Sequence, residues 1–294
     1  TVGLTESFLF IVYSVAMGLA TSVTAIVARR VGEKHHAEAA STAVQAIIAA
    51  AVISIPFAVA GLLYAPELLS MMGADAAVVS SGPGYTRWML GGNVVIMLLF
   101  VINAIFRGAG DAAIAMRVLW IANGINIILD PLLIFGWGPI PAYGVEGAAM
   151  ATTIGRGCGV LVQCWVLFRG GKHLRVAWSD LVINTRVMLT ILRTSLGGIG
   201  QMLVAMTAWI FLLRILAEVG TDAVSASTIT IRIMMFTLMP AWGMSNAAAT
   251  LVGQNLGAND PARAESAVWR TGLYNMIYLA VVSVVFFVFS QQLI

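Results

Sequence analysis

Long apolar stretches alternate with short polar connections along this chain of 294 residues. Uncharged runs cover Ser7–Ala28, Ser41–Ala65, Trp88–Phe106, Val118–Leu129, Gly157–Phe168, Thr194–Leu213, Ile233–Asn259 and Thr271–Ile294. A helix that crosses a bilayer needs about 20 mostly apolar residues. Most of these runs reach that length alone, and the two shortest extend past single charges at Asp130 and Arg156. The pattern predicts eight helical spans, near 7–28, 41–65, 85–106, 112–134, 145–168, 194–217, 223–253 and 267–290. Barrel strands would alternate at every second residue, whereas these runs are apolar on every face. The predicted class is an all-α polytopic membrane protein.

Two segments 225 residues apart carry the same helix-to-loop pattern, Gly18 to Gly32 and Gly243 to Gly257. At that offset Ala16, Gly18, Val27, Gly32, Ala37 and Ala39 meet Ala241, Gly243, Val252, Gly257, Ala262 and Ala264. Each copy is rich in small residues, ends at a glycine, and passes through a polar turn into an alanine-rich restart. An internal repeat in an apolar chain points to a two-lobed transporter. Small residues at this density let helices approach closely and bend during a switch. Pro56 and Pro240 fall mid-span and predict kinks.

Composition and charge set the surroundings. Hydrophobic residues make up 60% and charged residues 10%, with a mean hydropathy of +0.94. Soluble domains carry about 25% charged residues, so lipid is the expected partner of this surface. Twelve of the 16 Lys and Arg lie in or beside alternate connections: Arg29, Arg30 and Lys34; Arg107 and Arg117; Arg169 to Arg193; Arg263 and Arg270. The other connections hold Glu67, Asp75, Glu146, Glu218 and Asp222 and no Lys or Arg. This bias places the basic connections inside and Thr1 outside. The net charge of +3 then reflects topology and gives no reason to expect nucleic acid. An outside start without a signal peptide predicts a preceding helix. Extending the repeat predicts twelve spans in two six-helix lobes, of which this chain holds the second to the ninth. The expected division is an amino-terminal lobe over 1–170, an inner connection over 171–192 and a partial carboxyl-terminal lobe over 193–294.

Cys158 and Cys164, six apart on one span, suggest packing and no metal or disulfide framework. His35, His36 and His173 lie in inside connections without ligand spacing.

Several segments resemble the multidrug and toxic compound extrusion (MATE) family. They are the two Gly-to-Gly segments, Phe106-Arg-Gly-Ala-Gly-Asp111, Asn126-Ile-Ile-Leu-Asp130-Pro-Leu-Leu-Ile-Phe-Gly136, Gly144-Val-Glu-Gly-Ala-Ala-Met-Ala-Thr152 and Gly220-Thr-Asp-Ala-Val-Ser-Ala with Ile231-Arg232-Ile233. The resemblance implies a MATE-like two-lobed bundle and a secondary antiporter, not an enzyme. Such a protein expels small organic, often cationic, compounds as H⁺ or Na⁺ enters. It implies no other cofactor, a monomer, and the inner membrane of a bacterium.

A coupled antiporter needs a membrane-embedded group whose charge changes with the ion. Asp130 is the best candidate, with Asn126 one turn earlier on the same face. Carboxylate and amide oxygens are hard ligands suited to Na⁺, or a place to hold a proton. Pro131 frees the carbonyl of Ile127 as a further ligand. The alternative is that Asp130 caps or bends a broken helix near the outer surface. The resemblance matches Asn126 and Asp130 to the family's fifth-helix ion-site pair, and implies Asn103 and Thr152 as fourth- and sixth-helix members. The family's first-helix Asp has no counterpart here. Some family members also carry a Glu inside the helix equivalent to 194–217, where this chain has Gln201 and Arg214 and no acid until Glu218.

Glu6 and Arg87, at similar outer depth, suggest an ion pair that locks the lobe, or proton handling at Glu6. Arg232 suggests either structural pairing or cargo gating, and Arg156 a paired structural role. Gln45, Gln163 and Gln201 are expected to hydrogen-bond between helices. Met234, Met235, Met239 and Met244, with Phe236 and Trp242, suggest packing or an adaptable cavity wall. A lipid-linked-sugar flippase would share the repeat and use intramembrane arginines for phosphate. A membrane-embedded enzyme would need a catalytic set that the scattered His and isolated acids do not provide.

Overall fold

The computed structural model describes residues 1–170, 174–177, 180–219 and 221–289. These residues form eleven α-helices: α1 (Val2–Gly32), α2 (His36–Leu63), α3 (Ala65–Met71), α4 (Ala76–Ser81), α5 (Pro83–Gly91), α6 (Asn93–Ala109), α7 (Ala112–Phe135), α8 (Val145–Arg169), α9 (Thr185–Val219), α10 (Thr221–Gly257) and α11 (Pro261–Val288). Extended pairing among the described residues is confined to one bridge between Trp137 and Ile140. Seven segments of the described residues are long and apolar enough to cross a membrane: α1, α2, α5 with α6, α7, α8, the part of α9 up to Trp209, and α11. The remaining expected span coincides with α10, a helix of 37 residues.

The helix ends follow local chemistry. α6 stops at Gly110, whose φ of 89° is open to glycine and strained for other residues. α11 starts at Asp260-Pro261, where the aspartate side chain accepts from Arg263 N and the proline needs no donor. α9 begins nine residues before the expected 194. Asn184 Oδ1 accepts from Val187 N at 3.3 Å and opens that helix. Arg186 and Arg193 therefore lie on helical turns, where their charges had suggested a loop.

The span expected over 85–106 is broken. A Cβ on Gly92 would lie 2.6 Å from Thr153 Cγ2, so α8 lies close against the chain where α5 gives way to α6. Asn93 fills the break by donating to Leu90 O at 2.6 Å and Ser54 O at 3.1 Å. The short helices α3 and α4 lie in the outer connection, where the sequence suggested only loop.

α1 is the central helix and packs against α2, α5, α6, α9 and α10. Leu9, Val12, Leu19, Val23 and Val27 form its buried stripe, with Ile102, Ile105 and Phe106 of α6 in the same core. The inner connection is not purely polar: Leu174 and Val176 are buried, and Gln45 Nε2 donates to Val182 O at 2.7 Å. Lys172 and His173 of that connection lie outside the described residues.

The repeat becomes visible where α1 crosses α10. A Cβ on Gly32 would collide with the carbonyl oxygen of Gln254, and one on Gly257 with that of Arg29. These two contacts exchange under the offset of 225 residues read from the sequence, since 29 maps to 254 and 32 to 257. Between them a Cβ on Gly253 would meet Ala28 Cβ at 2.7 Å, and 28 maps to 253. The crossing is therefore a local pseudo-two-fold, with Ala28 and Gly253 on its axis. Such backbone approach is what small residues permit between apolar helices. Gly18 packs against Ile199 of α9, while Gly243 has open space around it.

Just beyond the crossing, Arg30 Nη1 donates to Glu33 Oε2 at 2.8 Å and Arg29 Nε to Oε1 at 3.0 Å. These hydrogen bonds, from Arg30 first and Arg29 second, hold the Glu33 carboxyl below the usual range. Arg30 also reaches Glu38 at 3.1 Å and ties α1 to the first turn of α2.

Candidate functional site

α7 and α8 form an antiparallel pair that brings three predicted residues together. Asn126 Nδ2 lies 3.3 Å from Asp130 Oδ1, one turn along α7, and 3.4 Å from Thr152 Oγ1 on α8. With the amide turned over, its nitrogen donates to Asp130 Oδ2 at 3.2 Å and its oxygen accepts from Thr152 N at 3.2 Å. In either orientation Asn126 bridges the carboxylate to α8. Local sequence explains the geometry. The i, i+4 spacing stacks Asn126 over Asp130. Gly155 removes the Cβ that would meet Ala122 O at 2.8 Å, so the helices approach closely here. All three side chains are half-buried. Pro131 sits within α7, one turn after Ile127. The arrangement offers a carboxylate, an amide oxygen and a hydroxyl, which suits a hard monovalent cation or an exchangeable proton.

Asn103 does not join this group. Its Oδ1 accepts from Gln163 Nε2 at 2.7 Å in the buried core. Gln163 lies eleven residues along α8 from Thr152, or about 16 Å of helix rise. Asn103 therefore sits well inward of Asp130, ten residues into α6 and close to that helix's inner end. Gln163 bonds between helices as expected.

The expected partnership of Glu6 with Arg87 is replaced by a different cluster. No ion pair joins them among the described residues. Glu6 is exposed, whereas Tyr85 is buried. Arg156 Nη1 donates to Tyr13 Oη at 3.1 Å, and its guanidinium lies 6.0 Å from the Tyr13 ring centroid. Phe100 meets the same ring edge-on at 5.9 Å. Residue types alone did not single out Tyr13 and Tyr85. A usable signal was depth, because Tyr13 and Arg156 each lie eleven residues inside the outer ends of α1 and α8. Arg87 instead borders an outer cavity with Leu62, Trp88, Gly92 and Thr153. There Trp88 Nε1 donates to Glu146 Oε1 at 3.2 Å.

On the other side of the molecule Gln201, Arg232, Met235 and Met239 are exposed on α9 and α10, with Phe236 and Trp242 also exposed. The chain thus brings together Asp130, Asn126 and Thr152, and leaves this second group on an uncovered face. The side chains of Arg214, Glu218 and Asp222 lie outside the described residues. Cys158 and Cys164 are free thiols.

Comparison with known proteins agrees along the whole length. The chain is 26% identical to the "Probable multidrug resistance protein NorM" of Thermotoga maritima, over all of this chain and 63% of that protein. It is 24% identical to an "FAD transporter" of Shewanella oneidensis, over 96% of this chain and 63% of the relative. The chain thus spans less than two thirds of the length of both relatives. One solved structure, described as the "Outward-facing conformation of a multidrug resistance MATE family transporter of the MOP superfamily", superposes with a TM-score of 0.88. That match has 28% identity and covers 99% of this chain and 64% of the other. The MatE family model matches residues 1–132 and 195–294, so that its two stretches take in both copies of the repeat. This is a multi-pass membrane protein, and the chain belongs to the MatE family.

Proposed function

We propose that this chain is the core of a secondary antiporter that exports small organic molecules across a bacterial inner membrane, driven by H⁺ or Na⁺ moving inward. The observation that carries the reading is the Asn126–Asp130–Thr152 group between α7 and α8. An acid within a membrane helix is costly unless it is paired, protonated or ion-bound. Here its polar neighbours are an amide and a hydroxyl, with no cation closer than 4.0 Å among the described residues. Such a site changes charge when an ion arrives and repacks two helices as it does so. The cargo side of the exchange is supported by the exposed Met235, Met239, Phe236 and Trp242 on α10, an adaptable apolar wall. The names of the relatives, a multidrug resistance protein and a flavin nucleotide transporter, are in keeping with small organic cargo. The tight crossing of α1 and α10 at the basic end fits a protein closed inside and open outside.

Reconstituted full-length protein tests this directly. Efflux of a fluorescent organic cation is measured under an imposed H⁺ gradient and, separately, a Na⁺ gradient. One gradient should drive export, and Asp130→Asn should abolish that drive while cargo still binds. Gradient-driven export unchanged in Asp130→Asn would remove the coupling role.

A further inference from the structure

We infer that Gln254 of α10, assisted by Thr250 one turn earlier, holds the inner end shut by capping the last carbonyls of α6 across the crossing. The inference rests on the export reading, which requires that end to open and close.

α6 ends at Gly110, and an α-helix leaves its final four carbonyls without helical partners. Two are satisfied locally: Gly110 N donates to Arg107 O at 2.9 Å and Asp111 N to Phe106 O at 2.8 Å. Gly108 O instead accepts from Gln254 Nε2 at 3.1 Å. Arg107 O takes a second bond from Thr250 Oγ1 at 3.2 Å. The Thr250 hydroxyl has a competing acceptor, Asn246 O of its own helix, at 3.1 Å. Gln254 is therefore the principal donor and Thr250 the auxiliary. Gly110 makes room for it, since a Cβ there would lie 3.2 Å from the Gln254 amide nitrogen.

α6 belongs with α1. Thr24 Oγ1 donates to Ala104 O at 3.2 Å, and Gly108 packs against Thr24 O and Val27. When α10 leaves the crossing, α1 and α6 stay together and the bonds from Gln254 and Thr250 break.

The repeat sharpens the assignment. The counterparts of Thr250 and Gln254 at the 225-residue offset are Ala25 and Arg29. Ala25 has no hydroxyl, and Arg29 is engaged by Glu33. The glycine contacts of the crossing are pseudo-symmetric, but these donors are found on α10 alone of the two helices. Packing alone does not require an amide at 254 or a hydroxyl at 250.

The bonds also have a suitable strength. Opening lets water satisfy both the carbonyls and the amide, so each bond shifts the closed-to-open ratio only about 2- to 10-fold. A contact of that size biases the inner end toward closure without trapping it. Gln254 is a positioning residue, one that sets the conformational balance without touching cargo.

The test uses full-length protein in lipid nanodiscs, with native cysteines replaced and spin labels at Ala37→Cys and Ala258→Cys. Both positions are exposed beside the crossing. Pulsed electron resonance reads the distance between them without cargo. Gln254→Met, similar in length and apolar, should enrich the longer distance about 2- to 10-fold. Thr250→Val should add a smaller shift, and Thr250→Ser should match the parent. An unchanged distribution in Gln254→Met, or a Thr250→Ser shift equal to that of Thr250→Val, would overturn the proposal. Size-exclusion profiles identify folded protein, and the single variants decide if the double variant aggregates. Failure of the export reading is separable. A parent protein that moves no organic cargo, yet responds to Gln254→Met in distance, keeps the latch and loses the exporter.

Discussion

Two polar groups on α6, α7 and α8 teach by contrast. Asn103 and Gln163 meet at 2.7 Å, and the two residues are 5% and 0% exposed. Asn126, Asp130 and Thr152 meet at 3.2 to 3.4 Å and are half-buried. The first pair is closed: Gln163 Nε2 and Asn103 Oδ1 satisfy each other inside the core. The second group is loose, with carboxylate and hydroxyl oxygens still able to accept. A polar pair that is short and sealed serves packing, whereas one that is long and accessible can take an ion.

That contrast can be broken from either side. The largest effect is expected at Asp130. Asp130→Asn should abolish ion-driven export in a reconstituted gradient assay, since the proposed coupling charge is gone. Next comes the sealed pair. Asn103→Leu strands the Gln163 amide in the core and should destabilise by about 1–3 kcal/mol. Its thermal unfolding temperature should fall while the ion dependence of export stays put. Adding Gln163→Met should recover most of that loss, because Gln163 Oε1 already lacks a partner among the described residues. If Asn103→Leu changed ion selectivity, the division between the two groups would fail. Thr152→Val keeps shape and removes one weak acceptor. It should weaken the coupling ion's apparent affinity several-fold, about 1 kcal/mol, with little change in unfolding.

The smallest effect is at Glu33, which tests whether distance alone marks strength. Its bonds from Arg30 and Arg29 are short, yet the arginines are well exposed. Exposed ion pairs contribute about 0–1 kcal/mol. Because the folded carboxyl titrates below its ordinary value, its contribution is full above about pH 4.3 and disappears as pH falls through the lowered folded value. Glu33→Gln should therefore shift unfolding slightly at pH 7 and not at all in strong acid.

The eight long segments were legible because apolar runs of span length have few alternatives. The Asn126–Asp130 pair was legible because helical spacing alone stacks residues four apart. Thr152 came from the family resemblance, and the close approach at Gly155 explains its contact. Asn103 came from the same resemblance, but a residue type in a neighbouring helix fixes neither depth nor facing. The same lack of azimuth misled the reading of Glu6 and Arg87. They lie equally deep, each four residues into α1 and α5, and still do not pair. The break at Gly92 was hidden because a glycine pair in an apolar run reads as continuous helix.

The crossing at Ala28 and Gly253 has a mechanical consequence. From that point α1 continues to Val2, 26 residues away, which makes an arm of about 39 Å, so a rocking of about 10° there displaces the far end by about 7 Å. A fulcrum near one end of so long a lever turns a small rotation at the crossing into a large displacement at the other end. Bulk introduced at position 28 or 253 would force the two backbones apart at this point, where a Cβ on Gly253 already falls 2.7 Å from Ala28 Cβ.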